Sequence, residues 1–166
     1  MHTALAFRHA LKVGAFILIE PTVASALAKH RQIASTDSEA GGILLGLRRG
    51  DHIHCTDYTE PGPKDRRSRN AFYRDQSHHQ ERALELWHGS GGLIDYLGEW
   101  HTHPQMHPIP SSTDLREWQL LLHRYSGPLL FAVQGTSEAL WVGLGQGSAV
   151  TQLAPVALEP AKSDSI

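Results

Sequence analysis

Short apolar runs that stop at proline or glycine are the feature that most constrains the fold of this chain. Residues 12–19 end shortly before Pro21, residues 41–47 begin at a pair of glycines, and residues 97–101 are followed closely by Pro104. Runs of this length rich in Val, Ile, Phe and Leu favour strands, which end at proline because it cannot donate a ladder hydrogen bond. We therefore expect a sheet of several short strands.

Helical periodicity appears between these runs. One helix is predicted to begin at Pro21, whose missing amide hydrogen costs nothing in a first turn. Two more are predicted from apolar residues at helical spacing, which are Ala83, Leu84 and Trp87 in the first and Leu115, Trp118, Leu122 and Tyr125 in the second. Strands alternating with helices indicate the α/β class.

The chain is predicted to form one domain. Further strands are expected at 52–58, 129–133 and 139–144, and neither a repeat nor a linker interrupts the pattern. We expect a single domain over 1–155, a length typical of one hydrophobic core. Residues 156–166 lack periodicity and are predicted to form a weakly structured tail.

Composition excludes several functions. The chain has 15 Lys and Arg against 17 Asp and Glu, so it lacks the basic excess that general nucleic-acid binding requires. No apolar stretch approaches the roughly 20 residues of a membrane-spanning helix, and the N-terminus lacks the pattern of a signal peptide. Cys55 is the single cysteine, which excludes an internal disulfide and a thiolate metal cluster. We expect a cytoplasmic protein that binds neither nucleic acid nor membranes.

Histidine is in excess, at 12 of 166 residues. His101 and His103 lie two residues apart at the end of a predicted strand, so both side chains point to the same face. Spacing alone is weak evidence, because chance gives about one such pair at this histidine content. We interpret a second pair, His52 and His54, as an ordinary strand face.

The surroundings of the first histidine pair indicate a metal site. Pro104 ends the strand after His103, and Ser111 and Asp114 lie where the next predicted helix begins. Two imidazoles and one carboxylate supply three protein ligands and leave a fourth tetrahedral position for water, as in a catalytic zinc site. Ser-x-x-Asp before an apolar helix is also a capping-box pattern, which needs no metal. Both interpretations stay open at this point.

Glu39 is the candidate general base. It precedes Gly41 and Gly42 at the start of a predicted buried strand. Glycines allow close approach of the backbone, which suits a residue that faces a cleft. The alternative is a solvated loop end, the usual environment of a glutamate.

Taken together, Glu39, the His-x-His-Pro sequence at His101 and His103, and Ser111-x-x-Asp114 resemble the JAMM motif of the MPN-type metalloproteases. The resemblance implies a cytidine-deaminase-like α/β sandwich, with a mixed sheet flanked by helices. It also implies one zinc ion per chain, held by His101, His103 and Asp114. Glu39 matches the general acid and base of the family, and Ser111 matches the residue that stabilises the oxyanion.

Two further segments are similar to one subgroup of the JAMM peptidases. Gly-Pro-x-Asp-x-Arg-Ser-Arg at 62–69 and Gly-Glu-Trp-His-Thr-His-Pro at 98–104 are similar to prokaryotic JAMM peptidases encoded beside ubiquitin-type E1 and E2 enzymes, including those of CBASS antiphage operons. The implied activity is hydrolysis of the amide bond after the C-terminus of a ubiquitin-like modifier or another E1/E2-conjugated protein. Such conjugates are the implied substrates, and a cognate E1, E2 or CD-NTase is an implied partner.

A basic loop is predicted over residues 59–69. A run of charges is usually a solvated face, but long loops in compact domains are often functional, and the family places substrate-contacting insertions here. We predict that Arg66, Arg67 and Arg69 bind substrate. The strand face of His101 also carries Glu99, which could support a ligand or form a structural ion pair.

Two alternative functions stay open. One is a processing peptidase for a modifier or a sulfur-carrier precursor. The other is a binding module that recognises modified proteins without cutting them, and Glu39 argues against it because binding needs no general base.

Overall fold

Strands form where Val, Ile, Leu and Phe are dense, and helices form between them. The computed structural model describes residues 3–158. Its strands are β1 (Leu5–Arg8), β2 (Phe16–Ile19), β3 (Gly41–Arg49), β4 (His52–Tyr58), β5 (Arg66–Ser68), β6 (Ala71–Tyr73), β7 (Asp95–Thr102), β8 (Leu129–Gln134), β9 (Leu140–Gln146), β10 (Ala149–Gln152) and β11 (Pro155–Val156). Its helices are α1 (Pro21–Lys29), α2 (Gln76–Gly89) and α3 (Ser112–Leu122).

Nine strands form one mixed sheet in the order β10-β9-β8-β7-β3-β4-β2-β1-β11. The pairs β7–β8 and β2–β4 are parallel, and the other neighbours are antiparallel. The strands β5 and β6 form a separate two-stranded hairpin. The predicted mixed sheet flanked by helices is confirmed.

Two apolar clusters hold helices on opposite faces of the sheet. On one face, Leu27 of α1 packs in a cluster with Leu44 and Trp100. On the other, the Trp118 ring of α3 stacks on Phe131, with ring centroids 4.4 Å apart. Buried aromatic pairs contribute large apolar areas at fixed geometry. The start of α3 is thereby fixed beside the end of β7.

A bend at Gly98 determines which side chains of β7 point to each face of the sheet. Its φ is +151°, and a Cβ atom there would lie 1.8 Å from the carbonyl oxygen of Leu130. The β3–β7 register shifts opposite this point, between Leu44 and Leu45. A bulge changes the alternation of side chains along a strand, so Leu97 and Trp100 both lie in the same core cluster although they are three residues apart.

Several elements differ from the sequence prediction. The strand expected at 12–19 covers only Phe16–Ile19, and residues expected to form one loop include the strand β5. Leu84 and Trp87 were expected to face inward, which is wrong, because they are 48% and 42% exposed. The reason is that α2 meets the molecule most closely at its beginning, where His79 is buried instead.

The edges of the sheet lie outside the predicted strands. β1, β10 and β11 have weak patterns of their own and form because a neighbouring strand offers hydrogen-bonding groups. Pro155 and Val156 pair with β1, next to the predicted boundary between domain and tail. Residues 159–166 of the predicted tail lie outside the described residues. Among the helices described, none has the length and apolar character needed to span a membrane.

Replacing Gly98 tests the bend. We expect Gly98→Ala to lower the free energy of unfolding by about 3 kcal/mol or more, because the new Cβ overlaps the Leu130 carbonyl. Urea denaturation followed by tryptophan fluorescence measures the loss. The control is Gly89→Ala at the end of α2, where a Cβ meets nothing within 4 Å and the free energy of unfolding should stay the same or rise by up to about 1 kcal/mol. Equal losses in the two variants would contradict this account.

Candidate metal centre

Three donor atoms converge where β7 ends and α3 begins. His101 lies near the end of β7, His103 follows that strand, and Asp114 lies in the first turn of α3. The two histidine Nε2 atoms are 3.0 Å apart. The carboxylate oxygens of Asp114 lie 3.4 Å from the Nε2 of His101 and 3.2 Å from the Nε2 of His103. Both imidazoles are buried.

This spacing fits a single tetrahedral metal ion. Ligand atoms about 2.0–2.1 Å from such an ion lie about 3.3 Å from one another. The donor atoms of His101, His103 and Asp114 all meet that condition to within a few tenths of an ångström. Burial raises the pKa of Asp114, but hydrogen bonding with the two histidines outweighs burial and holds that pKa well below its usual range. The carboxylate is therefore ionised, as metal binding requires.

The capping box and the metal-ligand arrangement occur in the same residues. The Ser111 hydroxyl accepts a hydrogen bond from the Asp114 amide at 3.1 Å, and the Ser111 amide donates to Asp114 Oδ2 at 2.6 Å. That oxygen is the one that faces His103. The cap therefore orients the third candidate ligand, so the two interpretations that the sequence left open are compatible.

Glu39 lies beside the donor atoms. Its side chain is buried, and its Oε1 is 4.0 Å from the Nε2 of His103. Burial raises the pKa of Glu39 to about 7, although the two nearby histidines act to lower that pKa. A carboxyl group with a pKa near neutrality can both accept and return a proton. The structure thus brings Glu39 together with the donor atoms that the sequence singled out.

Glu99 forms a structural ion pair. Its Oε2 accepts a hydrogen bond from Arg74 at 2.6 Å, and its Oε1 accepts one from Trp118 Nε1 at 3.0 Å. The Trp118 ring lies 5.9 Å from the His101 ring, measured between centroids. Of the two roles open for Glu99, the ion pair is confirmed. Glu99 therefore also holds Trp118, whose ring lies beside that of the candidate ligand His101.

The three arginines of the basic segment have different environments. Arg67 Nε donates to the Glu39 carbonyl at 2.6 Å, and Arg69 Nη1 donates to the Ala34 carbonyl at 3.0 Å. These two guanidinium groups bind the backbone of the segment that leads to Glu39. The Arg66 guanidinium instead lies 5.2 Å from the centre of the Tyr73 ring, and Arg66 is a lining residue of the cleft that contains the donor atoms.

The donor atoms lie in a cleft of about 850 Å³ between the β5–β6 hairpin and α3. Phe72 and Tyr73 line one wall, and Leu120 and Leu121 line the other. Ser111 and Glu39 both line the cleft with the candidate ligands. The arrangement combines apolar walls with converging polar groups, which is typical of a binding or active site.

The sequence analysis missed a buried set of hydrogen-bonded side chains, which are Thr59, His79 and Asp65. His79 accepts a hydrogen bond from the Thr59 hydroxyl at 2.6 Å and donates one to Asp65 at 2.9 Å. The direction follows because burial lowers the pKa of His79 and keeps its ring neutral. The Asp65 carboxylate can only accept, so Nε2 carries the hydrogen and Nδ1 is the acceptor for Thr59. Asp65 also accepts a hydrogen bond from the amide of Asp75, so these bonds connect the two ends of the β5–β6 hairpin.

The hydrogen-bonded side chains of Thr59, His79 and Asp65 have a structural role. Their order of hydroxyl, imidazole and carboxylate resembles a nucleophile with its base. The Thr59 hydroxyl is buried and uses both its acceptor and its donor capacity within the protein. No local periodicity marks His79, because its partners lie 14 and 20 residues away. The Gly-Pro-x-Asp segment that contains Asp65 is the only sequence signal nearby.

Three converging donor atoms and a buried carboxylate in a cleft fit the arrangement expected of a metallohydrolase site. The chain matches the family described as prokaryotic homologs of the JAB domain over residues 21–143. It belongs to this family and is a peptidase of the JAMM type.

Curated relatives cover most of the chain. It is 38% identical to a CD-NTase/cGAS isopeptidase of Escherichia coli (strain TW11681), over 76% of this chain and 80% of the relative. It is 41% identical to a protein of the same description from Pseudomonas aeruginosa (strain BWHPSA011 / Pa011), over 72% and 79%. It is 37% identical to a CD-NTase/cGAS isopeptidase of Vibrio cholerae serotype O1, over 81% of this chain and 85% of the relative.

Solved structures confirm the fold. A solution structure of a protein from Desulfitobacterium hafniense superposes with a TM-score of 0.59 at 22% identity, and covers 81% of this chain and 87% of that protein. A solution structure of a protein from Salinibacter ruber gives a TM-score of 0.50 at 18% identity, and covers 89% of this chain and 94% of that protein. At these identities the likeness concerns the fold alone. Together with the family match, it confirms the expected single-domain MPN-type sandwich.

Replacing the candidate ligands tests the centre. We expect protein that is loaded with zinc and then desalted to retain about one ion per chain. Asp114→Ala should lose most of the metal because a three-residue ligand set becomes a pair of histidines. Metal content measured by mass spectrometry gives the result, and Asp51→Ala, in the exposed β3–β4 turn, is the matched control. Full occupancy in a His101→Ala, His103→Ala double variant would contradict the site.

Proposed function

We propose that this protein is a zinc isopeptidase of the bacterial cytoplasm that acts in antiviral defence. Its substrate is a protein whose C-terminal residue E1 and E2 enzymes have joined to an amine, and the conjugated protein is a CD-NTase. The observation that carries the chemistry is the buried Glu39 carboxylate beside His101, His103 and Asp114. The names of the curated relatives support the substrate class.

The residues of the centre divide the chemistry between them. Zinc held by His101, His103 and Asp114 would supply a water ligand whose pKa is lowered to about 7. Glu39 accepts the proton of the attacking water and returns it to the leaving amine. The Ser111 hydroxyl donates a hydrogen bond to the oxyanion that develops on the scissile carbonyl, an interaction stronger in the transition state than in the ground state.

Substrate recognition follows from the walls of the cleft. An extended C-terminal segment lies between the β5–β6 hairpin and α3, with its last carbonyl at the metal centre. Arg66 contacts this segment directly, because this residue lines the cleft and its guanidinium lies over the ring of Tyr73. Arg67 and Arg69 contribute by holding the hairpin and the Glu39 segment together.

Cleavage of two matched substrates tests the proposal. The first is a CD-NTase whose C-terminal residue E1 and E2 enzymes have joined to a lysine, and the second is the same CD-NTase fused linearly to a fluorescent protein. We expect release of the CD-NTase with its native C-terminal residue, measured by mass spectrometry. A chelator should abolish cleavage, and zinc should restore it.

Two other results would replace the proposed substrate. Cleavage only of linear precursors of a modifier or sulfur carrier would indicate a processing peptidase. Binding of the conjugate without hydrolysis, in protein with full metal occupancy, would indicate a binding module.

Removing the base tests the role of Glu39. We expect Glu39→Gln to retain metal and fold but to lower kcat by about 10²–10⁴-fold, because an amide cannot accept the proton of the water. Single-turnover kinetics on the conjugate measure the loss, with metal content and circular dichroism recorded on the same samples. Turnover near the wild-type rate would remove Glu39 from the mechanism.

Reversing one charge tests the cleft wall. We expect Arg66→Glu to lower kcat/KM for the conjugate several-fold at low salt and less at high salt, because exposed charges act weakly and are screened. Arg49→Glu makes the same change of charge in an exposed residue of β3 and should leave kcat/KM unchanged. If the two variants behave alike, Arg66 does not contact substrate.

A further inference from the structure

Gln32 is a buried polar residue just after α1 that no motif marks. It is only 1% exposed. Its Oε1 accepts a hydrogen bond from the Thr102 hydroxyl at 2.9 Å. Its Nε2 donates to the carbonyl oxygens of Asp37 and Arg69, at 3.2 and 2.8 Å. One side chain therefore joins the strand of the metal ligands, the segment before Glu39, and the β5–β6 hairpin.

Thr102 carries this connection to the candidate centre. It lies between His101 and His103 and is fully buried. Its hydroxyl accepts a hydrogen bond from the Ala40 amide at 3.0 Å while it donates to Gln32. Its own amide donates to the Ala40 carbonyl at 2.9 Å. Both peptide groups of the residue after Glu39 are thus bonded to the residue between the two histidine ligands.

The hairpin holds the other side of Glu39. The Glu39 amide donates to the Ser68 carbonyl at 2.7 Å, and its carbonyl accepts from Arg67 Nε at 2.6 Å. The next residue of the hairpin, Arg69, is the one whose carbonyl binds Gln32. The hydrogen bonds form a closed loop around Glu39, and Gln32 is the member that links the hairpin back to Thr102.

We propose that Gln32 is a positioning residue for the reaction, which fixes the Glu39 carboxylate relative to the metal ligands through Thr102, Asp37 and Arg69. The inference rests on the proposed function for its kinetic consequences. Gln32 does not act on substrate itself, because it is buried and its amide oxygen and nitrogen are both bonded within the protein. A shift of about 1 Å in a reacting group can cost about 10²-fold in rate, so a connection that holds Glu39 in place has a measurable effect.

The first test compares two buried glutamines. Gln32→Met keeps the length of the side chain but removes all three hydrogen bonds, and we expect kcat on the linear CD-NTase fusion to fall about 10–100-fold. KM should change less than about threefold and metal content should stay constant. Gln134→Met is the matched control, because Gln134 is also buried and its Nε2 donates to three carbonyls of its own turn. Its kcat should remain at the wild-type value.

A double-mutant cycle separates positioning from general destabilisation. If Gln32 acts through Glu39, adding Gln32→Met to Glu39→Gln causes no further loss of single-turnover rate. If the two losses multiply, or if Gln134→Met loses as much kcat as Gln32→Met, the positioning role is overturned.

Amide hydrogen exchange provides a measurement that needs no substrate. We expect the Ala40 amide to exchange at least about tenfold faster in Gln32→Met than in the wild type, while amides of β8 are unchanged. Gln134→Met should leave Ala40 unchanged. If the wild-type protein cleaves neither substrate, the proposed function fails, and Ala40 exchange still decides whether Gln32 fixes this segment. Unchanged exchange at Ala40 overturns the inference in either case.

Discussion

The antiparallel pairing of β3 with β7 is the interaction on which the rest of this structure depends. It places Gly41 opposite His101, and the bonds between Ala40 and Thr102 continue the pairing to the residue before β3 begins. Residues 62 positions apart in the chain therefore share one peptide ladder. Because a shift of one residue in register would turn every side chain to the other face, this ladder decides that Glu39 and the histidines meet.

The end of β7 would be an incomplete site without α3. The stack of Trp118 on Phe131 holds this helix on the sheet, and the capping box at its first turn aims the Asp114 carboxylate at both histidines. A helix cap normally satisfies backbone groups only. Here the same two hydrogen bonds also orient a candidate ligand, so the bonds that begin the helix also place the Asp114 carboxylate.

The β5–β6 hairpin connects the cleft to the rest of the fold. Asp65 and His79 anchor its base to α2 and the sheet, while Arg67 binds the backbone at Glu39. The hairpin therefore supports the backbone at Glu39 as well as forming a wall of the cleft. Buried polar groups are costly unless they are hydrogen-bonded, and Gln32 and Thr102 meet that condition by linking the hairpin to the ligand strand.

The sequence by itself determined the central strands, the three helices in outline and the residues that converge at the candidate metal centre. It could do so because strand parity, proline stops and a capping pattern act over a few residues, as at His101, His103 and Asp114. Only the tertiary structure decided that His79 and Gln32 are buried, that Arg67 and Arg69 bind backbone, and where the edge strands lie. Their partners are distant in the chain, and a hydrogen bond formed across the fold leaves no periodic pattern in the sequence.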